Sequence, residues 1–354
     1  MKLAVLVSGG RTGSDFFQSL LDGHSEILSL PGVFYFDEYL EQLKTNNISP
    51  AKLFLKMYEN FFDSRLNKLE RHHMLGKNKN EFYIVNKEKF LKHFNNSFKD
   101  TGNREAFEIL KHLHLSYAYA KGESLYSKKL IFLHIHHWFR LSKLKFLNFD
   151  LFYTLRDPLV TLSSAFKNWI LHEDSKHFSF KQLCFYYDRI CNGIDYCNQF
   201  KFKNFYIIKL EDVHLNTKQI LYNFLNLYKL KFENLLLDST FHGKKWWGDS
   251  ISQRFLNGIN INYKGKINEE FFSKKDISYL KSKMVKIYKK YYTDQLEKNY
   301  KKKYFYFPLK MEYQILKKNI SFIMFLKFLY FSIKRYILLN KSFNYNYPKN
   351  ISEI

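Results

Sequence analysis

Residues 3–21 read Leu-Ala-Val-Leu-Val-Ser-Gly-Gly-Arg-Thr-Gly-Ser-Asp-Phe-Phe-Gln-Ser-Leu-Leu. Leu3 to Val7 is an apolar run of strand length. Phe16, Phe17, Leu20 and Leu21 recur at the three-and-four spacing of a helix with one apolar face. A strand that turns through glycines into a helix gathers backbone N–H groups around one point, and the helix dipole adds positive potential there. The stretch therefore predicts a phosphate or sulfate site. Its cradle is Ser8, Gly9, Gly10, Arg11, Thr12, Gly13 and Ser14, with Arg11 as a fixed cation of five donors. A Walker A loop places Gly-Lys before its Ser or Thr. Here Gly13 is followed directly by Ser14, which disfavours an ATPase or a kinase while leaving anion binding intact.

The chain has 354 residues, 46% of them hydrophobic, enough for one large α/β domain or two smaller ones. The formal charge of +24 invites a nucleic-acid or membrane partner. The lysines are spread along the whole chain rather than gathered in a stripe, so they read chiefly as a solvated surface that favours anions in any cleft. Cys184, Cys191 and Cys197 match no zinc spacing and make a poor disulfide framework, which fits a reducing cytoplasm. Cys184 and Cys191 are a heptad apart and are expected to share one buried helix face. No leader is expected ahead of the first strand, because the long apolar stretch of a signal peptide is missing there.

Strand and helix patterns alternate. Further strands are expected over Glu26–Leu30, Leu130–His134, Asp150–Leu155 and Asn204–Leu210. Helices are expected over Phe36–Lys44, Pro50–Phe62, Lys87–Phe98, Glu105–Lys121, Pro158–Leu171, Phe180–Phe200 and Thr217–Tyr228, with a loop over Arg71–Asn80. This order implies a three-layer α/β/α domain, P-loop-like, with a central parallel sheet over residues 1–295. Ligands of such sheets bind at the carboxyl ends of the strands. Residues 296–354 read as a C-terminal helical extension. Within it, Ile320–Leu339 is amphipathic and interrupted by Lys327, Lys334 and Arg335, so it is too charged to span a bilayer. The segment 317–339 fits either docking on the domain or contact with the inner membrane face.

Residues 152–169 read Phe-Tyr-Thr-Leu-Arg-Asp-Pro-Leu-Val-Thr-Leu-Ser-Ser-Ala-Phe-Lys-Asn-Trp. Here a strand ends at Arg156 and a helix starts at Asp157-Pro158. Arg156, Ser163 and Ser164 are positioned for a phosphate monoester, which charge-assisted hydrogen bonds would hold. Two anion sites on neighbouring strand ends describe a ligand phosphorylated at two separated positions.

With these motifs the chain resembles the PAPS-dependent sulfotransferases, whose donor is 3′-phosphoadenosine-5′-phosphosulfate. Arg11-Thr12-Gly13-Ser14-Asp15 resembles the family's Arg-Ser-Gly-Thr-Thr loop, which holds the 5′-phosphosulfate. Arg156 and Ser164, with Ser163 adjacent, match its 3′-phosphate pair, and His24 falls where the family often has a His. Lys245-Trp246-Trp247-Gly248-Asp249-Ser250, Gly258-Ile259-Asn260 and Gly265-Lys266 resemble the late loop that closes over the nucleotide in bacterial, carbohydrate-type members. Ser273 to Ile277 is the helix start after it, and Arg254, Lys264 and Lys266 are the cations the resemblance offers to the 3′-phosphate. Ser14-Asp15 replaces Thr-Thr, the Trp after Gly-Lys is missing, and no Lys-Thr-Pro precedes the third strand.

The resemblance implies sulfuryl transfer from PAPS, without a metal, to a hydroxyl-bearing acceptor, with a glycan or lipid-linked sugar expected. Arg11 would stabilise the charge developing on the leaving phosphate. The acceptor also needs a general base. Asp37 and Glu38, or a His among His134, His136 and His137, stand for that role; the acidic pair also reads as an ordinary first helical turn. His112 and His114 cannot share a helix face and read as ordinary helix residues, and Glu211-Asp212 reads as a structural landmark. A P-loop kinase-like protein lacks its Gly-Lys, and a nucleic-acid binder gives the Gly-rich loop and Arg-Asp-Pro no role.

Overall fold

The computed structural model describes residues 1–99, 105–170, 179–200, 202, 204–252, 254–295, 307–318, 320–341 and 347–354. Parts of the expected segments at 171, 296–306, 319 and 342–346 lie outside these.

Six strands form one parallel sheet: β1 (Lys2–Ser8), β2 (Ile27–Ser29), β3 (Leu130–His137), β4 (Asp150–Leu155), β5 (Phe205–Lys209) and, after the small antiparallel hairpin β6 (Thr240–Phe241) and β7 (Lys244–Lys245), β8 (Lys349–Asn350). The sheet order is β2-β3-β1-β4-β5-β8. β1 is central and apolar on both faces because helices cover both. The helices up to β4 are α1 (Ser14–Leu20), α2 (Phe36–Thr45), α3 (Pro50–Met57), α4 (Glu59–Phe62), α5 (Lys87–Lys99) and α6 (Ala106–Lys121). After β4 come α7 (Pro158–Ile170), α8 (Phe180–Asn198), α9 (Leu210–Leu215), α10 (Thr217–Asn226), α11 (Lys274–Lys283), α12 (Val285–Tyr291), α13 (Lys310–Lys318) and α14 (Phe322–Leu339).

Two neighbouring rings on β4 show the layering, because successive side chains of a strand point to opposite faces. Phe152 meets Phe224 of α10 at 5.1 Å between ring centres, and Phe224 also meets Phe17 of α1 at 5.5 Å. Tyr153 turns the other way, and its hydroxyl fills the space a Cβ of Gly193 on α8 would need. The central parallel sheet flanked by helices is the three-layer arrangement the alternating pattern implies.

Several boundaries differ from the sequence expectation. Pro50–Phe62 breaks at Tyr58, whose φ of −128° and ψ of 42° are not helical, giving α3 and α4. β3 runs three residues past His134 through a bulge, where Leu6 pairs with His134 and Val7 with His136, leaving Ile135 extra. The sixth strand has no counterpart in the sequence expectation, since two residues carry too little pattern to show as a strand. β8 pairs Tyr206 with Lys349 and Ile207 with Asn350, and Asn350 Nδ2 donates to Asp212 Oδ2 at 2.7 Å. In the segment expected as a helical extension, α14 lies along α8, where the Cys184 thiol reaches the Phe331 carbonyl at 3.1 Å. Arg335, expected among the surface cations of this helix, is fully buried and pairs with Glu312 (Nε to Oε1 2.5 Å). All three cysteines are buried and free.

Candidate functional site

One cleft of about 1700 Å³ opens at the carboxyl edge of the sheet. Gly9, Gly10, Arg11, Gly13 and Ser14 line it, as do Arg156, Ser163, Ser164, Arg254, Lys264 and Lys266, so both expected anion sites share one cavity. Ser8 and Thr12 lie beneath it as pins. Ser8 Oγ donates to the His136 carbonyl (3.0 Å) and accepts from Gly10 N–H (3.1 Å); Thr12 Oγ1 bonds Thr154 Oγ1 at 2.8 Å. His24 is a structural pin as well, bonding the Lys231 carbonyl at 2.8 Å. His112 and His114 are buried in α6 and bond Ser97 and the Leu110 carbonyl.

The loop's path is set by left-handed backbone: Gly10 has φ +89°, Arg11 +58° and Gly13 +80°. α1 has only two turns, so its dipole is short and side-chain cations supply most of the positive potential. Arg11 turns toward the late loop. Its Nη1 lies 3.4 Å from Asp249 and its Nη2 donates to Ser252 Oγ at 2.9 Å, while Nε is buried without a partner among the described residues. Trp246 and Trp247 anchor that loop through N–H bonds of 2.7 Å to the carbonyls of Glu70 and Gly76.

Arg189, which the sequence reading does not single out, lies under the loop. A Cβ on Gly10 would sit 3.0 Å from its Nη2. It is buried on the inward stripe of α8 between Tyr186 and Ile190, and donates to His137 Nδ1 at 2.8 Å. Burial disfavours its charged form and lowers its pKa, yet it forms no ion pair among the described residues. The only available signal is positional: an Arg on the apolar stripe of Leu183, Tyr186, Ile190 and Ile194.

Arg156 is likewise without an ion pair among the described residues, and its Nε is buried without a hydrogen-bond partner among them. The neighbouring Asp157 does not neutralise it, because its Oδ1 accepts from the N–H groups of Leu159 and Val160 at 2.9 Å and caps α7. The Arg156 guanidinium lies 5.7 Å from the Tyr263 ring centre, and Tyr263 stacks on His214, which stacks on Phe16. Ser164 lines the cleft and its Oγ accepts from Asn168 at 3.4 Å, whereas Ser163 is buried and receives the Asn268 N–H at 3.0 Å. Lys264, Lys266 and Arg254 stand on the rim.

The base candidates separate. Asp37 is buried and Glu38 reaches the cleft, but both are held by Arg140: Nη1 lies 3.0 Å from Asp37 and Nη2 2.5 Å from Glu38. His134 is buried, with Nδ1 on Gln18 Oε1 at 2.8 Å, and does not line the cleft. Gln18 donates to the Leu30 and Gly32 carbonyls, so its oxygen faces His134 and Nδ1 carries the proton. His136 and His137 line the cleft. The bulge holds His136 at φ +57°, where Nδ1 meets Ser14 Oγ at 3.2 Å. Burial, helped at His136 and His137 by the nearby Arg189, pushes this cluster down, His137 to about 2 and His134 to about 3, so the rings are neutral.

Two acids that the sequence does not mark as base candidates complete the site. Glu70 lines the cleft wall between the first helices and the late loop, and its Oε2 accepts from Asn67 Nδ2 at 3.0 Å. Gly32 is a glycine where Glu70 approaches: a Cβ there would lie 2.6 Å from Oε2. Burial, then the charge of Asp15, raises Glu70 to about 8; burial, then Asp249, raises Asp15 to about 7. Asp15, His134 and His136 also offer ligand atoms within 4.8 Å of one another, but Gln18 already takes His134 Nδ1 and the adjacent guanidiniums oppose a cation.

No protein-family profile matches the chain, and no curated protein matches its sequence. Among solved structures, the sulfotransferase domain of the Synechococcus PCC 7002 olefin synthase is similar at 14% identity and a TM-score of 0.40, covering 73% of this chain and 84% of that one. The sulfotransferase domain of the curacin biosynthetic pathway is similar at 15% identity and a TM-score of 0.40, covering 90% of this chain and 96% of that one. A fold can host many chemistries, so function rests on the site.

Proposed function

We propose that the chain is a sulfotransferase that moves a sulfuryl group from PAPS to a hydroxyl of an acceptor. The observation that carries this reading is the pair of guanidiniums, Arg156 and Arg189, that enter one cleft without an ion-paired carboxylate among the described residues and flank a Gly-rich loop. Arg189 is buried and Arg156 half-buried, and a ligand with two separated anionic groups offers a counter-charge to each. The motif resemblance assigns the phosphosulfate to the Gly-rich loop and the 3′-phosphate to Arg156 and Ser164.

Bound PAPS supplies the sulfuryl group and leaves as adenosine 3′,5′-bisphosphate once the sulfur–oxygen bond to its 5′-phosphate breaks. Arg189, Arg11 and the loop N–H groups meet the charge gathering on that phosphate oxygen, the preorganised electrostatics that transfers of this kind need. The acceptor hydroxyl attacks sulfur and gives its proton to Glu70, whose raised pKa suits a base near neutral pH. His136 positions Ser14 at the loop. Phe139 and Phe185, both exposed, line the cleft and offer ring surface to a sugar or lipid-linked sugar acceptor.

The test is transfer of labelled sulfate from PAPS to a panel of hydroxyl acceptors. Donor-dependent transfer that is lost in Arg189→Met supports the proposal; transfer that is unchanged in Arg189→Met removes its basis.

A further inference from the structure

α14 buries one side and exposes an apolar row on the other. Phe328, Ser332, Arg335 and Leu339 form its buried stripe, fixed to α8 by the Cys184–Phe331 contact and by Asn192 Nδ2 donating to the Leu338 carbonyl at 3.1 Å. On the other side Phe322, Ile323, Leu326, Tyr330, Ile333 and Ile337 are each 49–76% exposed. At the helical repeat these six cover about 100° of the circumference, roughly opposite the buried stripe, and Lys327 and Lys334 follow about 20–40° further round. A row of large exposed apolar groups on one helix face is not explained by docking on the domain, which uses the other face.

We infer that this outer face of α14 lies on an anionic lipid surface, with Phe322 to Ile337 entering the headgroup boundary and Lys327 and Lys334 meeting the lipid phosphates. Charge selects this occupant. Between Glu312 and Glu353 the chain has seven Lys or Arg residues and no Asp or Glu, and among the described side chains of that stretch only Arg335 is paired with a carboxylate, that of Glu312. A second copy seated on the same face would set two basic edges together with no acid on α14 to offset them. An anionic surface pairs with both the apolar face and its basic edge. The helix lies along the surface rather than across it: its inner face stays on α8, and no described helix is long and apolar enough to cross a membrane.

Co-sedimentation with vesicles tests this, using pure phosphatidylcholine and phosphatidylcholine containing phosphatidylglycerol. The wild type should bind the anionic vesicles at least about tenfold more tightly than the neutral ones, and Phe322→Glu with Ile333→Glu should lose at least about tenfold of that affinity. Both positions are more than half exposed, and a circular-dichroism melt checks that the variant keeps its fold. No binding to anionic vesicles, equal binding by the variant, or a dimer in light scattering that this double variant breaks would each overturn the inference.

Discussion

Arg189 Nη2 lies 3.0 Å from the position a Cβ of Gly10 would take, so a buried cation on α8 forms the floor of the Gly-rich loop. The loop needs glycine there for two reasons: φ of +89°, and room for the guanidinium. Arg189→Met keeps the bulk and removes the charge. Stability should hold or rise slightly, because an unneutralised buried charge is a cost to the fold. Affinity for adenosine 3′,5′-bisphosphate should fall roughly tenfold to a hundredfold, the worth of one charge-assisted hydrogen bond. Thermal melts with and without the nucleotide measure both.

Gly13 separates strain from crowding. Its φ is +80°, and Leu210 occupies the space a Cβ would fill. Gly243 has φ +68° but nothing within 4 Å of its Cβ position. Gly13→Ala should cost about 1–3 kcal/mol more than Gly243→Ala in urea unfolding, because only the first must also move a packed side chain.

Glu70 makes stability depend on pH in a defined direction. Its folded pKa is raised to about 8, against about 4.3 in an unfolded chain. Between these values the folded state holds the extra proton, so this contribution is complete below the unfolded value and is lost as pH rises through about 8. The melting temperature of the wild type should therefore fall across that window. Glu70→Gln should shrink the slope without abolishing it, because Asp15, raised to about 7, acts with the same sign. The same variant should slow sulfuryl transfer and remove its rise with pH, whereas His136→Asn should weaken donor binding and leave the pH profile in place.

Arg335 and Glu312 form a buried pair in which Nε and Nη2 both reach the carboxylate and Nη1 meets Tyr279 at 3.3 Å. Glu312→Gln leaves a buried guanidinium uncompensated and should cost about 3–5 kcal/mol, while Arg335→Met with Glu312→Leu should recover most of it. Denaturant titration of the three proteins decides this.

The form of the opening loop was legible because it is local: strand, glycines and helix lie within nineteen consecutive residues, and left-handed backbone leaves a trace in the glycines. Arg156 was legible for the same reason, standing at a strand end beside a helix start. Arg189 was not, because its meaning comes from Gly10, far away in the chain, and along α8 it reads as one charged residue among apolar ones. Glu70 sits beside a polar loop, and only the fold brings it against Gly32 and into the cleft wall. The bulge at Ile135 sets His136 and His137 around the cleft, and a one-residue irregularity leaves no periodicity to read. Asp37 and Glu38 have the residue type expected of a base, but Arg140, far along the chain, already pairs with both.

The central claim is that one cleft holds a nucleotide by two separate anions, with Arg156 carrying the second. Calorimetric titration with adenosine 3′,5′-bisphosphate and with adenosine 5′-monophosphate, for the wild type and Arg156→Ala, tests it most directly. The account predicts that the wild type prefers the bisphosphate by at least about tenfold, one charge-assisted contact's worth, and that Arg156→Ala loses this preference while still binding the monophosphate. Equal affinity of the wild type for the two nucleotides, or a preference that survives Arg156→Ala, would contradict it.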